Sequence, residues 1–229
     1  ASASVVERLG VAPDRVRTVP HGIEPPTPVP SEQIAAVRER YRLGDQVVLY
    51  PAITYPHKDH ITLVQAFGRL ARARPDLTLV LPGGAGPSEA DVTAAIRASG
   101  AGEQVRRTGR IPWSDLAALY ACATVVAVPS RFEGFGAPAL EAMAAGAPVV
   151  VANATALPWV VGDAGLTFRP GDVGQLTSEL ARVLDQPAAH DTLVAAGRVQ
   201  AQRFTWDRAA HDLAAGYRAA AAMGETRRA

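Results

Sequence analysis

The chain is poor in several residue types, and each scarcity narrows what it can be. A single cysteine, Cys122, among 229 residues excludes an internal disulfide and a cysteine-built zinc cluster. Its apolar flanks, Ala121 and Ala123-Thr124-Val125-Val126, read as those of a buried thiol. No apolar run approaches the roughly 20 residues needed to cross a bilayer. Neither charge sign is in excess: 23 basic and 22 acidic residues leave a formal net charge of +1. That balance argues against the broad basic face of a nucleic-acid binder, and no nucleic-acid partner is expected. The opening Ala1-Ser2-Ala3-Ser4-Val5 lacks the basic and apolar stretches of a secretory leader, so the cytoplasm is the expected compartment. Lysine is the scarcest charge: of the 23 basic residues only Lys58 is not an arginine. A lysine kept where arginine is the habit suits a site that needs a compact ammonium rather than a planar fork. A plain surface amine is the competing reading.

What the chain does have is 48% hydrophobic residues, enough at this length to bury a substantial core. Residues 1–12 read as a helix end and Val16-Arg17-Thr18-Val19 as a short strand. Five prolines between Pro20 and Pro30 then make a stiff segment, the clearest boundary in the sequence. Beyond it, apolar runs of strand length alternate with helical stripes. Ser31 is placed to cap a helix carrying Ile34, Val37 and Tyr41. Strands are predicted at 47–50, 77–81, 105–108, 124–128 and 148–151, with helices from about 59, near 88–99, near 114–121 and over 137–145. The end reads as three helices, roughly 172–185, 188–203 and 206–222, with Thr205 as a cap for the last. Near-continuous Val/Leu strands separated by helices indicate a parallel sheet covered on both faces. The expected fold is α/β, a Rossmann-like doubly wound sheet that binds ligands beyond the carboxyl ends of its strands.

The most informative stretch runs from Pro129-Ser130-Arg131-Phe132-Glu133-Gly134-Phe135-Gly136 into Ala137-Pro138-Ala139-Leu140-Glu141 and on to Gly146-Ala147-Pro148. A buried strand ends, a turn with two glycines follows, and a helix starts with Pro138 in its first turn. Glycines admit a ligand close to the backbone, and the free N–H groups of a helix start favour an anion such as a diphosphate. An ionised carboxylate accepts two hydrogen bonds, which suits the vicinal diol of a ribose or hexose and makes Glu133 and Glu141 candidates. Taken singly, the same residues read as a tight turn and a carboxylate that complements the helix dipole.

Taken together they resemble the family-4 (group 1) retaining glycosyltransferases, enzymes of GT-B fold with two Rossmann-like domains. The resemblance rests on Glu133 and Glu141, separated by seven residues, around Glu-Gly-Phe-Gly and Glu-Ala-Met-Ala-x-Gly-x-Pro-Val. Val19-Pro20-His21-Gly22-Ile23-Glu24, Thr108-Gly109-Arg110-Ile111 and Gly162-Asp163-Ala164-Gly165-Leu166 add to it, and it extends over about 10–210. It implies the donor-binding, C-terminal half of such an enzyme. Residues 1–24 would be a remnant of the first domain and the interdomain segment, 25–30 the linker, 31–205 the nucleotide-sugar domain, and 206–229 a helix packing on the missing first domain, plus a tail.

By position, the resemblance gives Glu141 the donor ribose, Glu133 the sugar hydroxyls and Lys58 the diphosphate. The backbone of Gly134, Phe135, Gly136 and Ala137 would cradle sugar and diphosphate, with Arg110 and Ile111 under the base. His57 and His60 read as structural or solvent-facing. The donor is a nucleotide diphosphate sugar; no cofactor is implied, and no Asp-x-Asp motif calls for a metal. The partner is an N-terminal acceptor domain, with peripheral contact to the inner membrane face made through that domain. Two departures stand out: Pro51-Ala52 where many members carry Gly-Arg, which shifts phosphate neutralisation to Lys58 aided by Arg131, and Trp159 where many carry a glutamate. Competing readings are a non-catalytic nucleotide-sugar module and a GT-B sugar-nucleotide epimerase. A glycosidase pair fits poorly, because nothing makes Glu133 and Glu141 face one glycosidic bond. Gly83-Gly84-Ala85-Gly86 does not complete a dinucleotide fingerprint.

Overall fold

A computed structural model describes residues 2–226, with side chains described over 5–222. The chain folds as two compact units. The larger is Pro26–Ala201, and the smaller combines the segment up to Pro25 with the segment from Gln202 onward.

The larger unit is built on six strands: β1 (Gln46–Leu49), β2 (Leu77–Pro82), β3 (Val105–Gly109), β4 (Val125–Val128), β5 (Val149–Ala152) and β6 (Leu166–Phe168). They form one all-parallel sheet in the order β3-β2-β1-β4-β5-β6. Strands β1, β2, β4 and β5 have almost every side chain buried, which is why they read as continuous apolar runs rather than alternating ones. Helix α1 (Ser2–Leu9) belongs to the smaller unit. In the larger one, α2 (Ser31–Arg40) precedes the sheet, and α3 (His60–Ala71), α4 (Glu89–Ser99), α5 (Trp113–Cys122), α6 (Ala137–Ala145) and α7 (Leu157–Val161) lie between its strands. Helices α8 (Val173–Asp185) and α9 (Pro187–Ala201) follow β6. The core holds Val47, Val48, Leu49, Leu63, Phe67, Leu79, Leu119, Leu140 and Phe168, each at most 1% exposed. Each such side chain contributes about 1.5–3 kcal/mol by leaving water.

The order in which strands are added reverses at β1. From there β2 and β3 extend the sheet one way and β4 to β6 the other. The crevice beyond the carboxyl ends of β1 and β4 is therefore the switch point of the sheet, where such folds place ligands. Backbone pairs hold this edge together: Ala52 N donates to Pro82 O at 2.9 Å, and Gly83 N to Gly109 O at 2.8 Å.

The smaller unit contains α1, a 3-10 turn at Pro13–Arg15, and α10 (Trp206–Thr226). Ile23 N donates to Phe204 O at 3.0 Å, and Gly22 lies against the backbone of Thr205 and Trp206, leaving no room for a side chain. Among the described residues no helix is long and apolar enough to cross a membrane.

Several expectations need correcting. Val16–Val19 forms no strand, because it is not laddered to a partner. Ser31 does not cap α2: it is the first helical residue, Pro30 holds the cap position, and no side-chain cap bond is made. Cys122 is only half-buried. The sequence reading also missed α7 and β6, which are short. Thr205 does cap α10, accepting from Arg208 N at 3.2 Å, and Asp172 caps α8, accepting from Gln175 N at 2.9 Å.

Gly83 carries the tightest constraint at the sheet's functional edge. Its φ is +137°, and an added Cβ would run into the Ala52 carbonyl oxygen. Gly83→Ala should therefore lower stability by about 2–4 kcal/mol in urea unfolding, from strain and backbone displacement together. A loss under about 0.5 kcal/mol, the usual range for a neutral surface change, would show that the loops part easily.

Candidate functional site

Every residue singled out for donor binding lies beyond a strand's carboxyl end or on the helix that follows one. Lys58 closes a single 3-10 turn, Pro56–Lys58, after β1. Asp59 then takes left-handed geometry, φ 49° and ψ 42°, and α3 starts at His60. Glu133 lies on the loop after β4, and Glu141 in the second turn of α6. Arg110 and Ile111 follow β3.

The structure brings Lys58 and Glu133 together. Lys58 Nζ donates to Glu133 Oε1 at 2.6 Å, with the two side chains 20% and 11% exposed. The same oxygen accepts from Ser130 Oγ at 2.7 Å. Ser130 and Tyr50 are both fully buried, and Tyr50 Oη lies 2.7 Å from Ser130 Oγ and 3.1 Å from the Lys58 carbonyl oxygen. Proton counting orients the chain. The Ser130 proton goes to the carboxylate, so the Tyr50 proton goes chiefly to Ser130. Burial, above all, pushes the Tyr50 phenol well above its ordinary value, so it remains a donor. One hydrogen-bonded line thus runs Tyr50 to Ser130 to Glu133 to Lys58.

Glu141 is not part of that cluster. It is half-buried, and its Oε2 accepts from Tyr120 Oη at 2.8 Å. Between the two glutamates the loop is pinned from below: Glu133 N donates to Thr155 Oγ1 at 2.9 Å, and Thr155 Oγ1 donates back to Glu133 O at 3.0 Å. Gly136 caps α6 with φ +100°, and a Cβ there would meet Leu157 Cδ2 at 2.7 Å. A Cβ on Gly134 would meet nothing within 4 Å, so the loop face there is open. Phe135 is half-buried, and Ala137 is the first residue of α6.

Arg110 is exposed and its side chain lies over Gly84, 3.3 Å from where a Cβ would stand; Ile111 is half-buried. Arg131 Nε donates to Asp59 Oδ2 at 2.9 Å, and its guanidinium lies beside Gly171. A second charged cluster braces the neighbouring loops. Arg107 donates to Glu89 (Nη2 to Oε2, 2.8 Å), Thr54 Oγ1 donates to the same oxygen at 2.7 Å, and Gly86 N donates to Thr54 Oγ1 at 2.7 Å. His57 is exposed and stacks on Tyr55, whereas His60 is buried against the Tyr50 ring, 4.8 Å between centroids. Trp159 is 57% exposed. Tyr50, Ser130 and Thr155 were given no role by sequence reasoning, and Tyr120, placed in the helix under the nucleobase by the resemblance, was not paired with Glu141. The first three looked like ordinary strand-end or loop residues, and only their partners distant in sequence reveal them.

The profile of the family described as "Glycosyl transferases group 1" matches residues 33–200. O-antigen chain mannosyltransferase B of Escherichia coli is 38% identical over 174 residues, 75% of this chain and 45% of that protein. Sucrose-phosphate synthase from Thermosynechococcus elongatus superposes with a TM-score of 0.80 at 28% identity, covering 97% of this chain and 57% of that one. Anabaena Alr3699/HepE, in complex with UDP and glucose, superposes with a TM-score of 0.71 at 25% identity, covering 81% of this chain and 51% of that one. The chain spans about half the length of the curated relatives it matches.

His60 supplies a test of the buried side of this site. Neither ring nitrogen has a hydrogen-bond partner among the described residues. Burial first, and the Arg107 charge next, lower its pKa from 6.5 to about 4; the Ala52 backbone alongside offsets only part of this. Between those values the unfolded chain binds a proton that the folded chain refuses. Stability from this group is therefore full above about pH 6.5 and falls as the pH drops toward 4, by about 3 kcal/mol in all. Urea unfolding from pH 7 to pH 4 should show this slope reduced by that amount in His60→Phe. Parallel pH profiles for the two proteins would remove His60 as its source.

Proposed function

We propose that this chain, which belongs to the glycosyl transferases group 1 family, binds the nucleotide diphosphate sugar from which a hexose is transferred, with retention at the anomeric carbon, to a glycan or glycolipid. The observation that carries this reading is the Lys58–Glu133 pair at the switch point of the sheet, with Glu141 in the second turn of the next helix. A transferable sugar needs charge stabilisation on its leaving diphosphate, and a cation together with a helix start supplies that electrostatically. Lys58 takes the diphosphate with ammonium protons not used by Glu133. The open backbone from Gly134 to Ala137 lets the phosphates and sugar approach α6 closely. Glu133 holds sugar hydroxyls, Glu141 the ribose diol, and Arg110 with Ile111 borders the base.

No metal is needed for these roles. In this reading the acceptor is held by a separate N-terminal domain, and transfer requires that domain. A mannosyltransferase and a UDP-bound protein among the similar proteins support a nucleotide-sugar donor. Cytoplasmic work on a polysaccharide or glycolipid, with membrane contact through the N-terminal domain, follows from the same reading.

The test is metal-free calorimetric titration with UDP, GDP, ADP and matching nucleotide sugars. One base should bind selectively, and Glu141→Ala should weaken it by about 1.5–3 kcal/mol, the worth of hydrogen bonds to a charged group. Lys58→Ala should weaken the nucleoside diphosphate by about the same amount while leaving the bare nucleoside unchanged. An undiminished affinity in Glu141→Ala removes that residue from the ribose. A folded chain that binds none of the three, alone or joined to its N-terminal domain, overturns the reading.

A further inference from the structure

Glu141 has a buried partner that its sequence neighbourhood gives no hint of. Tyr120 lies near the end of α5, is 3% exposed, and donates from Oη to Glu141 Oε2 at 2.8 Å. The two residues come from different helices, twenty-one positions apart in sequence. Glutamate has three side-chain torsions, and one left loose on a helix surface must be ordered when it binds, at a cost in affinity. A phenol carries one proton, so Tyr120 can hold one oxygen of Glu141 and leaves the other as an acceptor for a ligand. Burial, and then the Glu141 charge, push the Tyr120 phenol well above its ordinary value, so it stays a donor throughout the neutral range.

We propose that Tyr120 is a positioning residue that presets the Glu141 carboxylate for the ribose 2′- and 3′-hydroxyls, so that preference for a ribonucleotide depends on this buried phenol. This role rests on the reading of Glu141 as the ribose-binding residue. The competing role is a structural one, in which Glu141 merely satisfies a buried hydroxyl. The two differ in what they predict for ligands. A structural loss weakens every ligand alike, whereas a positioning loss is felt only by a ligand that carries the diol.

The experiment compares the preferred nucleoside diphosphate with its 2′,3′-dideoxy counterpart on the 229-residue chain, by calorimetry. In Tyr120→Phe the ribonucleotide should bind about 3- to 10-fold more weakly, the cost of ordering one loosened side chain, with the dideoxy ligand unchanged. In a Glu141→Ala background the same change should add nothing, since the pair acts as a unit. Equal weakening of both ligands, or of neither, overturns the proposal. Glu141→Asp is a second variant: it keeps the charge but draws the carboxylate back by one methylene, and should lose the same preference. Full preference retained in Glu141→Asp overturns the proposal even if Tyr120→Phe fails to fold. A wild-type chain that binds both ligands equally refutes the ribose role of Glu141 itself, a separate failure from that of Tyr120.

Discussion

A single oxygen, Glu133 Oε1, ties the two halves of the sheet together at its functional edge. It accepts from Lys58, carried on the segment after β1, and from Ser130, on the segment after β4. Strands β1 and β4 are in register at only two positions, Val48 with Val125 and Leu49 with Val126, and their chains then diverge. Beyond that point the ladder is replaced by the line from Tyr50 through Ser130 to the ion pair. Its members are mostly buried, so the line is costly to break: removing one partner strands a polar group or a charge in a poorly solvated place. The backbone crossing of Arg131 N to His57 O at 2.8 Å reinforces the same junction. The segments after β1 and β4 are therefore tied to each other by both side chains and backbone.

Around that junction, charge is sorted into small closed sets. Arg131 is taken by Asp59, and Arg107 by Glu89 with Thr54. These sets brace the segments after β1, β2 and β4. The segment that leads toward Lys58 is held by backbone pairs and by the buried Thr54. These sets leave the Lys58–Glu133 pair and the open backbone at Gly134 as the less enclosed part of the same edge.

How far the sequence discloses this depends on the distance over which each feature is encoded. The parallel core was legible because strands buried on both faces must be apolar throughout, and Val47–Leu49, Leu77–Leu81 and Val125–Val128 are nearly so, with Thr78 the one polar residue among them. The α6 boundaries, Ala137 to Ala145, were legible from the glycines at both ends, where φ is +100° at Gly136 and +87° at Gly146. Strand β6 was hidden because it has three residues and only Phe168 is buried. Val16–Val19 has strand composition but no ladder, since β-propensity reports fit to a sheet rather than a local preference. Glu133, Glu141 and Lys58 could be nominated from local pattern. The buried hydroxyls that orient them could not, because Tyr50 and Ser130 are eighty positions apart and meet only in the folded sheet.

The lone lysine follows from the same geometry. Arginine in place of Lys58 would bring a planar fork that matches a carboxylate bidentately. Facing Glu133 at the crevice wall, such a fork would be satisfied by that one partner. An ammonium spends one of its three protons on Glu133 Oε1 and keeps the others on a different side of the nitrogen. It can therefore hold the glutamate and meet an incoming anion at once. In a chain that otherwise uses only arginine, that difference gives a physical reason for the position to have stayed lysine.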